Sequence, residues 1–312
     1  MKILVLGSAA GGGFPQWNCA CDGCRRARSG DPAARPRTQS SIAVSADGDR
    51  WVLLNASPDL GAQLLASPPL HPPAGQRRGN PLAAAVLTNA DIDHVAGLLT
   101  LRESHPFAIH ATARVLGVLD GNSVFNVLNR DLVPRRSIGL GTPFTPADAA
   151  GTPLGLEIEA FAVPGKVALY LENTAAGPNF GSVAEDTVAL HVRSMVDGSS
   201  FFYIPGCAAL PGWLADRLRG AGLVLFDGTT WTDDEMIRTG TGTKTAARMG
   251  HMAMSGPEGS IAAFDGLGVG RKVFIHINNT NPVLLEDSPE CRAAEAAGWQ
   301  IAHDGLEISG WS

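Results

Sequence analysis

The sequence has no surplus of positive charge. Its 312 residues carry 24 Lys and Arg against 30 Asp and Glu, a formal net charge of −6. A surface that tracks nucleic-acid phosphates is basic, so no nucleic acid is expected as a partner. Long apolar runs are also missing. None reaches the roughly 18 residues of a membrane span, and no membrane insertion is expected. The opening MKILVLGSAAGGG has one Lys and an apolar run too short for a secretory signal. It reads as a buried first strand and points to a cytoplasmic location. No Ser-rich or charged linker divides the chain, and no internal repeat is visible. One domain is therefore expected over residues 1–312.

Other absences exclude chemistry. A dinucleotide fingerprint needs glycines at three fixed offsets. Counted from Gly7 these fall on Ala9 and Gly12, and from Gly11 on Gly13 and Gln16, so neither register fits. There is no G-x-S-x-G elbow for a serine nucleophile. The five cysteines are an odd number, and three lie within Cys19–Cys24, too close to pair usefully as disulfides. Cys207 and Cys291 are isolated and read as small buried hydrophobes.

What is present is 45% hydrophobic residues with 37 Gly and 21 Pro, a composition suited to many short strands and shaped loops. Apolar runs predict strands at Ile3–Leu6, Ser41–Ser45, Trp51–Leu54, Leu82–Leu87, Ala108–Ala111, Leu156–Val163, Thr187–Val192, Phe201–Ile204, Leu223–Phe226 and Val273–Ile277. A last strand or pair is expected over Gln300–Ile308. Helices are expected from Pro58 through Leu65, after His94, and over Ala113–Leu119, Leu210–Leu218, Pro257–Leu267 and Pro289–Ala297. Gly121–Pro153 reads as irregular. Two sheets with helices outside, an α/β layered αββα sandwich, is the architecture this order supports.

Three constellations could carry chemistry. Cys19, Cys21 and Cys24 offer three soft ligands in one turn of loop, which suits a structural zinc. His303, Asn279 and Asp304 are candidates for the fourth ligand, and unliganded buried thiols are the plainer alternative. Asp93 and His94 follow a buried strand and could reach one metal from a turn. Equally, Asp93 could cap the next helix and leave His94 exposed. His276 ends a very apolar strand, where it is either a satisfied core histidine or a ligand. Taken together, Asp93, His94 and His276 form a two-His, one-carboxylate set, which suits Fe(II) and less exclusively Mn or Zn. His251, in an apolar loop, could be a ligand, an acid–base group or a substrate contact. Arg25-Arg26 and Arg135-Arg136 read as solvated faces that an acidic substrate could use.

Four blocks, MKILVLGSAAGGGFPQWNCACDGC, TNADIDHVAGLL, GHMAMSGPEGS and HINNTNP, resemble the PqqB family of pyrroloquinoline quinone biosynthesis. The likeness runs through nearly the whole chain. More broadly the chain resembles the metallo-β-lactamase superfamily, whose hallmark is H-x-H-x-D-H after a strand. The two leading histidines of that hallmark fall at Asn89 and Asp91 here. Its Asp-His pair falls at Asp93 and His94, and its final His at His276. The superfamily's bridging carboxylate is expected near Tyr203–Cys207, where no acid stands. The resemblance thus implies one mononuclear centre held by Asp93, His94 and His276. Asp91 and His251 are the candidate acid–base groups beside it, with capping of the next helix the plainer account of Asp91. In superfamily phosphodiesterases with a C-x-C-x-x-C block, that block is a structural zinc site completed by a His. Asn279 occupies the corresponding place here.

For the activity, the PqqB resemblance implies Fe(II)- and oxygen-dependent hydroxylation of the tyrosine ring of a small cross-linked Glu-Tyr precursor. The expected partners are that small peptide-derived substrate and oxygen. A soluble carrier that moves the cofactor or a precursor towards the periplasm, and a metal-dependent hydrolase, are the competing readings.

Overall fold

The structure, a computed structural model, describes residues 1–177 and 179–311. Its strands are β1 (Lys2–Gly7), β2 (Ser41–Ser45), β3 (Trp51–Leu54), β4 (Leu82–Val86), β5 (Ala108–Thr112), β6 (Arg135–Ile138), β7 (Leu156–Ala162), β8 (Val188–Ser194), β9 (Ser200–Ile204), β10 (Leu223–Asp227), β11 (Arg271–Ile275), β12 (Trp299–Ile301) and β13 (Glu307–Ser309). The helices are α1 (Asp22–Arg28), α2 (Leu60–Ala66), α3 (Ile92–Val95), α4 (Ala113–Gly121), α5 (Gly212–Leu218), α6 (Glu235–Arg238), α7 (Ala246–Met249), α8 (Ser260–Ala263) and α9 (Pro289–Ala296). One sheet runs β13-β1-β2-β3-β4-β5-β6 and the other β12-β11-β10-β9-β8-β7.

The strands read as continuous apolar runs because both of their faces are buried. In β1, Ile3 and Val5 point between the sheets, where they join Val44, Val86, Leu190, Tyr203, Leu225 and Ile275. Leu4 and Leu6 point the other way, into a layer with Leu60, Leu98, Val115 and Leu119. The second sheet turns Phe202, Val224, Phe226 and Phe274 outward against Leu214, Leu218 and Ala294. The result is the expected αββα sandwich, three apolar layers thick.

Each sheet is antiparallel on one side and parallel on the other. β3 to β6 pair in parallel, as do β9 to β12. The carboxyl ends of β4, β9, β10 and β11 all open towards one end of the sandwich, the usual place for a ligand site in parallel sheets. There the loop after β1 is stitched to the loop after β11: Ala10 N donates to Ile277 O (2.8 Å) and Ile277 N to Ser8 O (2.9 Å).

Several expectations shift in detail. Residues 121–153 are not wholly irregular, because β6 lies within them at the sheet edge. Arg135 and Arg136 are not a solvated face either. The Arg135 side chain is 3% exposed, and Arg136 donates to Ala147 O (3.0 Å) and Asp148 O (2.8 Å). The helix expected over Pro257–Leu267 is confined to α8. Its N-cap is Gly259, where a side chain would come within 2.3 Å of Ser255 O. The helical stretch after His94 is α3 followed by a 3₁₀ turn over Ala96–Leu101. The last strand pair divides between the sheets, β12 closing one and β13 the other.

Candidate metal centre

β4 ends at Val86, and the chain then turns through Asn89 and Asp91 into α3. Asp91 stands at the N-cap of α3, but neither it nor Asp93 makes a capping bond there. Asp93 lies inside the first turn, and His94 is buried rather than exposed. The capping alternative for Asp93 is thereby removed. Asn89, at the first leading-histidine position, has a definite task. Its Oδ1 accepts from Asp91 N (3.0 Å) and from His94 Nδ1 (2.7 Å). With Nδ1 so engaged, His94 Nε2 presents its lone pair, and that buried atom has no hydrogen-bond partner.

His276 follows β11 with φ of +60°, a left-handed conformation uncommon for a residue with a side chain. Such positions concentrate at functional sites. Its Nδ1 lies 3.0 Å from Thr229 Oγ1 and its Nε2 3.0 Å from Asp93 Oδ2. If Thr229 takes the Nδ1 proton, Nε2 and the carboxylate oxygen face each other as two electron-pair donors. A proton or a cation must then lie between them. Burial alone would lower the His276 pKa, yet the Asp93 carboxylate raises it above the ordinary imidazole value. Burial pushes His94 down to about 4, so it is a neutral imidazole at pH 7. Burial would raise Asp93, but His94 and His276 pull it below the usual carboxylate range. One ligand atom from each of Asp93, His94 and His276 lies within 4.8 Å of the others. An orphaned buried nitrogen beside a neutral-imidazole and carboxylate set fits a divalent transition metal.

Asp227, at the end of β10, was not singled out in the sequence. It stands on the strand beside β9, and its Oδ2 accepts from Cys207 N (2.8 Å). A carboxylate therefore does reach the Tyr203–Cys207 turn, supplied by a neighbouring strand. Asp227 also binds His251 Nδ1 (2.6 Å), and its Oδ1 accepts from Thr229 N (3.0 Å) and Thr229 Oγ1 (2.6 Å). Asp227, His251 and His276 are a second group compact enough for an ion. With its lone pairs engaged by four donors, however, Asp227 is better suited to orienting His251. The visible signal was an acid directly after the wholly apolar run Leu223–Phe226.

Asn89, Asp91, Asp93, His94, Lys166, Lys244, His251 and His276 line one cavity of about 320 Å³. Burial and the nearby Asp93 charge raise the Asp91 pKa. A larger cleft of about 640 Å³ runs beside the cysteine cluster and shares Gln16 and Met236 with this cavity. The converging donor atoms lie in the smaller one.

Cys19, Cys21 and Cys24 also bring their sulfurs within 4.8 Å of one another, around the start of α1. Backbone amides point at them: Cys21 N lies 3.4 Å from Cys19 Sγ, and Gln16 N 3.4 Å from Cys24 Sγ. Of the three candidates for a fourth ligand, Asn279 is at the cluster, its Nδ2 3.3 Å from Cys24 Sγ. Asp304 is held elsewhere by Ser8 and Thr38, and His303 bonds to the Asp304 carbonyl. Cys207 and Cys291 are buried, and neither thiol belongs to a candidate ligand group among the described residues.

Comparison with known proteins decides the family. A coenzyme PQQ synthesis protein B from Gluconacetobacter diazotrophicus is 54% identical over 312 residues, covering 99% of each chain. One from Methylobacterium nodulans is 53% identical over 308 residues, again with 99% of each covered. The chain belongs to the coenzyme PQQ synthesis protein B (PqqB) family. The Beta-lactamase superfamily domain matches residues 50–277, in keeping with the layered metallo-β-lactamase fold. The crystal structure of Zn(2+)-bound PqqB from Methylobacterium extorquens superposes with a TM-score of 0.93 at 51% identity, over 99% of this chain and 100% of that one. A diphosphatase of the PhnP family shares the fold at a TM-score of 0.66 and 21% identity. No helix among the described residues is long and apolar enough to cross a membrane.

Proposed function

We propose that this protein acts in the cytoplasm in pyrroloquinoline quinone synthesis, as an Fe(II)- and oxygen-dependent hydroxylase of the tyrosine ring of a small cross-linked Glu-Tyr precursor. The observation that carries the reading is the buried, partnerless Nε2 of His94 facing Asp93 and His276. Asp93, His94 and His276 would hold the iron, and Cys19, Cys21 and Cys24 a structural zinc. A ferrous ion in a two-His, one-carboxylate set supplies the one-electron chemistry that lets O₂ react with an aromatic ring. Each oxygen atom inserted into a ring C–H bond would leave the second to depart as water, with two electrons from an external reductant and two protons.

The chain's own groups bind, orient and move protons. Asn89 fixes the His94 tautomer, and Thr229 fixes His276. Asp227 holds His251 by Nδ1, so that its Nε2 is the atom available to a phenol proton in the cavity. Asp91, free of any capping duty, is the second group able to accept that proton. The hydrolase alternative needs a first metal site, and Asn89 already uses its side-chain oxygen on His94.

The test is oxygen uptake with the cross-linked amino acid, using anaerobically iron-loaded protein. His94→Ala is expected to abolish uptake while keeping the parent circular dichroism. Uptake retained at the parent rate in that variant rejects the mononuclear hydroxylase. Turnover of a phosphodiester without oxygen selects the hydrolase instead.

A further inference from the structure

Lysine is scarce in this chain. Of 24 basic residues four are lysines: Lys2, Lys166, Lys244 and Lys272. Two of the four, Lys166 and Lys244, line the cavity that holds Asp93, His94 and His276. Lys272 has a structural role, donating to Ala297 O (2.9 Å) and lying over the Trp299 ring. Lys2 packs near Gly48, at the far side of the first sheet.

The two cavity lysines differ in what surrounds them. Lys166 is neutralised, its Nζ 3.1 Å from Glu172 Oε1. The same carboxylate receives Arg248 through two bonds of 3.0 and 2.7 Å. Lys166 is also wedged in place: a side chain on Gly250 would come within 3.0 Å of its Cγ. Lys244 lies half-buried between α6 and α7 and makes no hydrogen bond or ion pair to any described residue. The acids in and beside the cavity engage groups other than Lys244. Asp93 faces His276, Asp227 binds His251, and Lys166 is the lysine whose charge acts on Asp91. Lys244 therefore places a positive charge on the cavity wall that no carboxylate among the described residues pairs with.

We propose that Lys244 is a carboxylate-binding group of the substrate site. Its ammonium takes a carboxylate of the amino-acid-derived substrate in a charge-assisted hydrogen bond and so turns the ring towards Asp93, His94 and His276. A compact ammonium suits a single carboxylate oxygen, and Lys166 cannot offer the same without giving up Glu172. The proposal rests on the reading of the cavity as the site of a tyrosine-derived substrate.

The experiment compares the free cross-linked Glu-Tyr amino acid with its methyl esters. Binding is measured anaerobically by calorimetry and turnover by oxygen uptake. A charge-assisted hydrogen bond predicts a rise of roughly tenfold to a hundredfold in Kd and KM for the free acid in Lys244→Ala. The loss should fall mainly on KM, with most of it recovered in Lys244→Arg. The preference of the parent for acid over ester should vanish in Lys244→Ala. Metal content and melting temperature, measured on the same samples, should match the parent. An unchanged Kd and KM for the acid, or an acid-over-ester preference that survives Lys244→Ala, overturns the assignment. If the parent binds the acid in a Lys244-dependent way but consumes no oxygen, the carboxylate subsite stands and the hydroxylase reading falls. If the parent consumes oxygen and Lys244→Ala alters neither KM nor preference, the subsite falls alone. A parent that neither binds nor turns over the acid overturns both.

Discussion

Asn89 Oδ1 lies 2.7 Å from His94 Nδ1 and so decides which nitrogen of His94 is free. Asn89 stands where metallo-β-lactamase relatives place the first histidine of a dinuclear site. In the proposed centre this position orients His94 instead of holding a second ion. The same oxygen accepts Asp91 N at 3.0 Å, which also fixes the turn that carries Asp91, Asp93 and His94. Groups of this kind set a ligand's tautomer and direction and are worth 10–100-fold in metal affinity or activity.

Asn89→Ala should therefore weaken the active-site metal by roughly 10–100-fold without unfolding the protein. Competition with a chelator of known affinity reads this directly. Asn89→Asp should restore most of the affinity, since its carboxylate can still accept from His94 Nδ1. Parent affinity in Asn89→Ala would show that the contact does not position the ligand.

The cysteine cluster predicts a different phenotype. Burial pushes the Cys21 thiol up to about 12, so without a cation it stays protonated, and metal binding must displace that proton. Cys21→Ser should lower zinc content and melting temperature together, while chelator-treated parent protein should melt near the variant. Full zinc with an unchanged melting temperature rejects the structural-zinc assignment.

Much of this candidate centre was legible because its residues follow apolar strands. Asp93 and His94 follow β4, and His276 follows β11, so each polar group stands out against a run of buried side chains. Asp227 ends β10 in the same way. It was missed because its contact with Cys207 crosses between two parallel strands, a pairing that no linear spacing records. β6 was missed for another reason. A four-residue edge strand containing Arg135 and Arg136 has the composition of a solvated loop, and it is the carbonyls of Ala147, Asp148 and Ala149 that turn Arg136 inward. Asn89 was legible as a lost ligand but not as an orienting group, since that role exists only once α3 folds His94 back over it.

Glu235 supplies a pH prediction away from the metal ligands. Its carboxylate is buried against Thr280 Oγ1 (2.5 Å) and Trp231 N (2.6 Å), and burial raises its pKa to about 7. An unfolded glutamate titrates near 4.3, so the folded state holds the extra proton between these values. Stability from this group is present at low pH and declines as pH rises from about 4.3 to 7, then levels off. Glu235→Gln mimics the protonated form. Its melting temperature should match the parent near pH 4.5 and exceed it increasingly up to pH 8, by an amount equivalent to about 2–3 kcal/mol. A constant difference across that range, measured by calorimetry, rejects the buried-acid account.

Asp91 stands one position before α3 and could have been a helix cap and nothing more. The structure removes that account, because its side chain makes no capping bond while lining the cavity beside Asp93 and His251. A cap contributes about 1 kcal/mol to stability, whereas a general acid–base group contributes roughly 10²–10⁴ in rate. The two accounts therefore predict different measurements on one variant. Asp91→Asn keeps the shape and removes the proton acceptor. It should melt like the parent and retain its metal, yet lose oxygen-dependent turnover by 10²–10⁴-fold. His251→Gln should lose a comparable factor, since Asp227 orients His251 towards the same space. If the two residues handle one proton in succession, the double variant should lose much less than the product of the single losses, as coupled sites do. Losses that multiply would mean two separate proton transfers. Parent turnover in Asp91→Asn with the metal still bound would remove Asp91 from the chemistry and leave His251 as the proton acceptor.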